Sequence, residues 1–439
     1  MNILNYELMY SNYVYGVSTK PRKVLVYDPN TTPRKCFDGT EYLTFTSKEI
    51  LDFGLKNSRR SKYIPISKGK DKSLKETYDE FILSAERMKE ETKGRINLYK
   101  TGTYAKTALS LFFSMMNLLG NVPDKITEKE AQFLYKTNQG AIIYSNKIVY
   151  TGEGHIYDVN NFYASIMKSV NFRVPIKEGT FRTLSEDEFK KMQETYFLYG
   201  IYRVIIKNTI KTRKLFRKNV DNYYTSIDLN VAKSLGLKMK LITDGEDNFL
   251  SYGSGTCLSG STIFKPFVDY LTNLKKVTNN KIYKVILNSL WGALSQFAKV
   301  PKPLIYDVTR DFAYGKIFAQ KKDVMIIKEG FTNFPNWKVD FLFKSRIYKY
   351  NWARIKPFML AKGRETIGRL IKPHLQHIRR IHTDGFISDK KLDVKIGNDI
   401  GELRYEGFKR RITITHVNSV LDWDDKDDFM KVLYYYSLF

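Results

Sequence analysis

HIYDVNNFYASIMKS, residues 155–169, decides how this chain is read. An apolar strand ends on an acid, Asp158, and runs straight into Asn160-Asn161-Phe162-Tyr163 before the pattern turns helical near Ala164–Ser169. A carboxylate at a strand end followed by a tight aromatic turn is either a helix cap or the floor of a site, where two carboxylate oxygens and the next carbonyl, that of Val159, bind a divalent cation. The stretch alone leaves both open.

Composition narrows the classes. The chain has 439 residues, more than one hydrophobic core usually serves, with 43% hydrophobic and 14% aromatic residues, so it has ample material to bury. No run reaches the roughly 18 apolar residues of a membrane span, and Met1-Asn2-Ile3-Leu4-Asn5-Tyr6-Glu7 lacks the pattern of a signal peptide. The expectation is a soluble intracellular protein with no membrane partner. Two cysteines, Cys36 and Cys257, and five histidines make neither a disulfide framework nor a Cys/His zinc site, so any metal is held by oxygen. The net charge of +27, with pI near 9.6, calls for a polyanion, and nucleic acid fits best because no amphipathic basic helix stands out. Richness in Lys, Asn, Ile, Tyr and Phe fits an AT-rich viral, plasmid or organellar genome.

Residues 1–70 read as a small strand-rich module and a basic linker, 74–119 as two helices broken near Gly94 and Thr101-Gly102, and 140–158 as two strands joined by hairpin chemistry. A strand at 200–206, a helix opened by Thr225-Ser226-Ile227-Asp228, a strand at 239–242 and a helical segment at 264–297 broken near Thr278–Asn280 follow. Strands and loops then occupy 300–346, a long basic helix 351–379, and a strand, turn and strand 379–387.

Two further stretches carry chemistry. In Lys281-Ile282-Tyr283-Lys284-Val285-Ile286-Leu287-Asn288-Ser289-Leu290-Trp291-Gly292, helical spacing puts Lys281, Lys284, Asn288 and Trp291 on one stripe, with Ile282, Val285, Ile286 and Ser289 expected to pack inward. Lysines on a helix can meet triphosphate oxygens, an aromatic one turn on can stack on a base, and Gly292 permits close backbone approach; read alone, the stretch is also an ordinary amphipathic helix with a solvated basic face. In Arg380-Ile381-His382-Thr383-Asp384-Gly385-Phe386-Ile387 an acid sits at the tip of a hairpin.

Taken in order, the three stretches resemble motifs A, B and C of family B DNA polymerases. Asp158, Phe162 and Tyr163 match Asp-x-x-Ser-Leu-Tyr-Pro, with Asn161 for Ser and Ala164 for Pro. Lys284, Asn288, Ser289 and Gly292 match Lys-x-x-x-Asn-Ser-x-Tyr-Gly, with Trp291 for Tyr. Thr383 and Asp384 match Tyr-x-Asp-Thr-Asp-Ser, with His382 for its first Asp and Gly385 for Ser. Asn138-Gln139-Gly140-Ala141 is similar to the Tyr-x-Gly-Gly/Ala motif of the protein-primed branch, and two long segments stand where that branch carries its insertions.

The resemblance implies an α+β right-hand polymerase with an antiparallel-sheet palm, helical fingers and a reduced thumb, after a small N-terminal α+β region. The implied divisions are 1–120, a remnant or replacement of the exonuclease domain; palm with motif A at 121–170; a first insertion at 171–262; fingers at 263–298; a second insertion at 299–346; palm with motif C at 347–400; and thumb at 401–439. It implies DNA-directed DNA synthesis for a viral or linear-plasmid genome, with two Mg²⁺ ions, or Mn²⁺ in their place, held by Asp158, Val159 and Asp384. Phe162, Tyr163, Lys281, Lys284, Asn288, Ser289, Trp291 and Gly292 are the implied nucleotide-binding residues, Tyr163 packing under the sugar. Gly140, Thr383, Lys409 and Arg410 are the implied DNA-binding residues. Implied partners are template-primer DNA, deoxynucleoside triphosphates, a terminal protein primer and a separate exonuclease chain.

Departures from the pattern are specific. His382 replaces an acid; its imidazole either hydrogen-bonds nearby, meets DNA or is structural. No intact exonuclease motif precedes residue 120, where Asp79 stands without the required Tyr, so proofreading is expected to be absent or supplied by another chain. Lys409-Arg410-Arg411 stands in place of a Lys-x-Tyr element, and one helix is expected near Asp427–Leu438, which leaves a minimal thumb, a truncated gene or a split polymerase. The competing class is a catalytically degenerate polymerase-like protein that binds nucleic acid as a replication accessory.

Overall fold

The structure is a computed structural model, and it describes residues 14–18, 24–27, 41–44, 62–65, 74–120, 122–146, 149–210, 212–298, 304–306, 324–333, 336–343 and 346–424. The expected helix near Asp427–Leu438 lies outside the described residues. The chain divides into two compact units, residues 1–120 with 267–293, and residues 121–266 with 294–439. Among the described residues no helix is long and apolar enough to cross a membrane.

The first unit opens with strands Val14–Ser18, Val24–Tyr27, Glu41–Thr44 and Lys62–Pro65 in one sheet, whose last pair is parallel. Helices Leu74–Glu91, Leu98–Thr101 and Tyr104–Leu119 follow, the middle one ended by Gly102 in the left-handed conformation. To this unit also belongs the Ile282–Leu294 helix, which buries Tyr283, Ile286, Leu287, Leu290, Ala293 and Leu294. This corrects the stripe read from spacing: Ile286 packs inward as expected, but Val285 is exposed and Ile282 and Ser289 are only half-buried. Tyr283 explains the rotation. Its hydroxyl donates to Glu91 Oε2 at 2.5 Å, and Asn280 Nδ2 donates to the same oxygen at 3.2 Å. A buried ring with a satisfied hydroxyl turns the helix to that side.

In the second unit a six-stranded antiparallel sheet runs in the order Ser419–Asp422, Leu403–His416, Tyr150–Val159, Gly385–Ser388, Ile378–His382, Ile143–Ser145. The expected 140–158 hairpin does not form. Ile143–Ser145 pairs with Ile378–His382, and the 378–388 hairpin stands between it and Tyr150–Val159. The turn residues of 146–149 therefore connect strands that are not neighbours.

A second sheet, on residues 180–251, centres on Gly200–Lys207 and closes a core of Phe189, Phe197, Tyr202, Tyr224 and Phe249. One helix is capped as read, Thr225 and Asp228 forming a capping box at Ser226–Ser234, and Ser185 and Glu188 form a further one at Glu186–Glu194. Strands Leu304–Tyr306, Val324–Asn333 and Asn336–Phe343 make a separate antiparallel sheet. In place of one long helix at 351–379, a 3-10 turn at Asn351–Arg354 leads into Ile355–Ile371, and Pro373 follows in a second 3-10 turn.

A candidate active site on the central strands

Strand register brings the two motif acids together. Asp158, near the end of its strand, lies opposite Gly385, and the Val159 N–H donates to the Asp384 carbonyl at 3.0 Å. Asp158 and Asp384 are both half-buried, while Val159 between them is buried. Gly385 is needed for space. A Cβ there would sit 2.9 Å from the Tyr157 carbonyl oxygen and 3.3 Å from Asp158 Oδ1, tighter than ordinary contact on both counts.

The turn carrying Asp384 is strained. Thr383 has φ of 63°, and the Asp384 N–H donates to the His382 carbonyl at 2.9 Å, two residues back. This pairing of positive φ with a bond across two residues marks the rarer γ-turn, and a β-branched residue in that region is an outlier. The Thr383 N–H donates to the Ile142 carbonyl at 3.3 Å, which holds the turn from the neighbouring strand. The unusual dihedral of this hairpin falls on Thr383, the residue before the acid.

After Asp158 the chain turns through Asn161, at φ 47° and ψ 47°, into the Phe162–Met167 helix, two residues earlier than the pattern indicated. Asn tolerates this left-handed conformation because its short polar side chain bonds locally. Here, however, its Oδ1 is buried without a hydrogen-bond partner. Phe162 is buried, and its ring and that of Tyr163, with centroids 5.1 Å apart, pack against Gly363 of the Ile355–Ile371 helix. A Cβ on Gly363 would lie 3.2 Å from Phe162 Cε1 and 3.3 Å from Tyr163 Cε1. Burial pushes the Tyr163 hydroxyl up to about 12, with the charge of Asp384 adding and that of Arg364 opposing. The phenol therefore stays neutral and able to donate a hydrogen bond.

Arg364 was not anticipated from sequence. It forms a buried ion pair with Asp228, Nη2 to Oδ1 at 2.8 Å, and its Nη1 donates to the carbonyls of Gln139 at 3.2 Å and Gly140 at 2.9 Å. Arg217 Nη1 donates to the Ala141 carbonyl at 2.6 Å. The Gln139–Ala141 segment is thus held by two arginines from distant parts of the chain. The only available signal was Asp228, which reads as a helix cap and serves both ends.

The remaining site residues belong to other stretches of the sequence. Lys281 and Asn288 are exposed on the Ile282–Leu294 region of the first unit, with Lys284, Ser289 and Trp291 half-buried, and the Ser289 hydroxyl donates to the Val285 carbonyl at 2.7 Å. A Cβ on Gly292 would meet no described residue within 4 Å. On the Leu403–His416 strand, Lys409 pairs with Asp422 at 2.7 Å, and Arg410 is exposed.

The donors gathered by Asp158, Val159 and Asp384 are hard oxygens, which suit Mg²⁺ or Mn²⁺; Mg²⁺ in particular commonly takes one or two carboxylates and completes its shell with water and substrate phosphate. Among the described residues no group of three or more His, Cys, Asp or Glu side chains is placed to hold a metal.

Comparison with known proteins adds to this geometry. The family model described as DNA polymerase type B, organellar and viral, matches residues 71–321. Among curated proteins, none matches the chain. Solved structures of Phi29 DNA polymerase are similar at 14% identity. The complex with primer-template DNA and incoming nucleotide has a TM-score of 0.54 and is matched over 85% of this chain and 65% of that one. The complex with single-stranded DNA has a TM-score of 0.55, over 79% and 57%. This chain therefore spans about three fifths of the length of the structures it matches. At that identity the likeness establishes the fold, that of a right-hand polymerase.

Proposed function

Because this chain belongs to the organellar and viral type B DNA polymerase family, we propose that it is a DNA-directed DNA polymerase that copies a viral or linear-plasmid genome inside the host cell, from a protein primer. The observation that carries the reading is the placement of Asp158, near the end of its strand, beside Asp384, in the turn that opens the neighbouring strand, with the Val159 N–H donating to the Asp384 carbonyl. Nucleotidyl transfer joins a primer hydroxyl to an α-phosphate and expels pyrophosphate, with charge growing on both the attacking and leaving oxygens. Two divalent ions, when bound, supply the positive charge that this needs.

The chain's own residues do the rest. Asp158, Asp384 and the Val159 carbonyl would hold the cations. Tyr163, a neutral phenol seated on Gly363, lies under the incoming sugar and excludes a 2′-hydroxyl, and the unpartnered Asn161 Oδ1 offers an acceptor in the same turn. Lys284 and Lys281 neutralise the triphosphate, and Asn288, Ser289 and Trp291 line the nascent base pair. In this reading residues 121–170 and 347–400 are palm, 263–298 fingers and 401–439 thumb, with 171–262 and 299–346 as insertions. Synthesis by this chain proceeds without proofreading of its own.

The test is deoxynucleotide incorporation on a primed template with Mg²⁺ or Mn²⁺. Extension that Asp158→Ala and Asp384→Ala each abolish, with DNA binding kept, supports the polymerase. His382 in place of an acid favours a second reading, a degenerate nucleic-acid-binding accessory, which stands if the unmodified protein binds DNA and extends nothing with either metal.

A further inference from the structure

The second unit contains a pocket of about 500 Å³, within the range of small-molecule sites, on elements that hold none of the residues assigned above. Among the described residues three cations line it, Lys125, Arg346 and Lys349, and no acidic side chain does. All three are exposed, and none makes an ion pair with a described residue. The buried arginines nearby are different: Arg354 and Arg364 are each matched by a carboxylate, Glu130 and Asp228.

Both lips of the pocket are fixed by bonds that involve none of the three charged groups, of which Lys349 Nζ lies 5.4 Å from the centroid of the Tyr350 ring. On one side Arg354, its charge met by Glu130 at 2.6 Å, donates through Nη1 to the Asp124 carbonyl at 2.6 Å and through Nη2 to the Lys125 carbonyl at 3.1 Å. Asn351 Oδ1 accepts from the Ile126 N–H at 3.4 Å. On the other side the Ala298 N–H donates to the Ile347 carbonyl and the Lys349 N–H to the Gln296 carbonyl, each at 2.9 Å. Behind them Tyr348 is buried against Phe297, with ring centroids 5.4 Å apart. A rigid backbone frame with unpaired cations around an open volume is pre-organised for an anion.

We infer that this pocket binds the phosphate backbone of a nucleic-acid strand, as a contact separate from the Asp158–Asp384 site. It lies at the start of the helix whose Gly363 touches Tyr163, and Ile355 to Gly363 spans about 12 Å of helix. That is the length of three to four nucleotides at about 3.4 Å each, so one strand can reach both places. The inference takes only its partner, nucleic acid, from the proposed function.

The experiment compares the full chain with a Lys125→Ala, Arg346→Ala, Lys349→Ala variant, using fluorescence anisotropy of a labelled primer-template and of a single-stranded oligonucleotide across a salt series. The expected result is at least tenfold weaker DNA binding at low salt, with the slope of log K against log salt shallower by about 2, since each phosphate contact contributes about 0.7–0.9. The thermal midpoint should be unchanged, because all three side chains are exposed. Unchanged affinity and slope overturn the inference. So does loss of binding to sodium tripolyphosphate alone with DNA binding kept, which makes the pocket a site for free triphosphate. If the variant loses DNA affinity while the unmodified protein extends no primer, the pocket stands and the polymerase reading falls.

Discussion

The amide of Val159 donates to the carbonyl of Asp384 at 3.0 Å, at the end of the strand pairing that sets Asp158 beside a turn acid more than two hundred residues away in sequence. Anything that parts the two strand ends moves both carboxylates at once.

Gly385→Ala tests that spacing. Its Cβ would press on the Tyr157 carbonyl and on Asp158 Oδ1, and since backbone cannot swing aside, the strand end must shift. A misplacement of about 1 Å can cost on the order of 100-fold in rate. Primer extension is expected to fall more than tenfold while DNA affinity stays within twofold; extension at the unmodified rate would show that the spacing does not matter.

Thr383→Asn addresses the strained turn. Left-handed backbone costs a non-glycine residue about 1–2 kcal/mol, and Asn less than a β-branched residue. The variant should unfold at a higher temperature, by about 2–4 °C per kcal/mol recovered. A lower midpoint in thermal denaturation would mean that the Thr383 hydroxyl or methyl contributes more than the dihedral costs.

Gly292→Ala separates stability from binding. No described residue obstructs the new methyl, and replacing glycine within a helix contributes about 0.5–1 kcal/mol of stability. If a nucleotide approaches the helix backbone at this point, KM for deoxynucleotides should rise several-fold in the more stable protein. An unchanged KM would remove Gly292 from the nucleotide site.

Arg364→Ala leaves Asp228 buried and unpaired and releases the Gln139 and Gly140 carbonyls. Breaking one partner of a buried pair costs about 3–5 kcal/mol. Urea denaturation followed by intrinsic fluorescence should show a loss of that order, and a loss below about 1 kcal/mol would mean that Asp228 finds water or another partner.

His155 gives the pH dependence. Its ring hydrogen-bonds the Tyr405 hydroxyl at 2.8 Å, and burial holds its pKa below the ordinary value, with Lys391 acting the same way and Glu153 and Asp389 against it. As pH falls through about 6.5 toward the lower folded-state value, the unfolded chain takes up the proton first, so stability is present above that window and declines as pH drops through it. The fall in thermal midpoint on acidification should be smaller in His155→Gln. An equal fall in both proteins would place the acid sensitivity elsewhere.

Much of this was legible without coordinates, because it is local. Asp158 at a strand end, Asp384 between two strands, the Thr225–Asp228 cap and the break near Asn280 all follow from short-range pattern and turn chemistry. The candidate site residues on the sheet were named from three short stretches whose order matches a family. Gly363 and Arg364 were not, since a glycine and an arginine inside a basic helix carry no pattern that says what lies opposite them.

The sequence by itself determined local features: the strand that ends near Asp158, the hairpin around Asp384 and the Thr225–Asp228 helix cap. Tertiary structure alone decided that Ile143–Ser145 leaves its expected partner for Ile378–His382, that Thr383 takes the positive φ, and that Tyr283 turns the Ile282–Leu294 helix toward Glu91. Pairing with a strand more than two hundred residues away is chosen by which arrangement satisfies the backbone of every strand and buries both partners. Turn residues and helical spacing act over a few positions and cannot encode that choice.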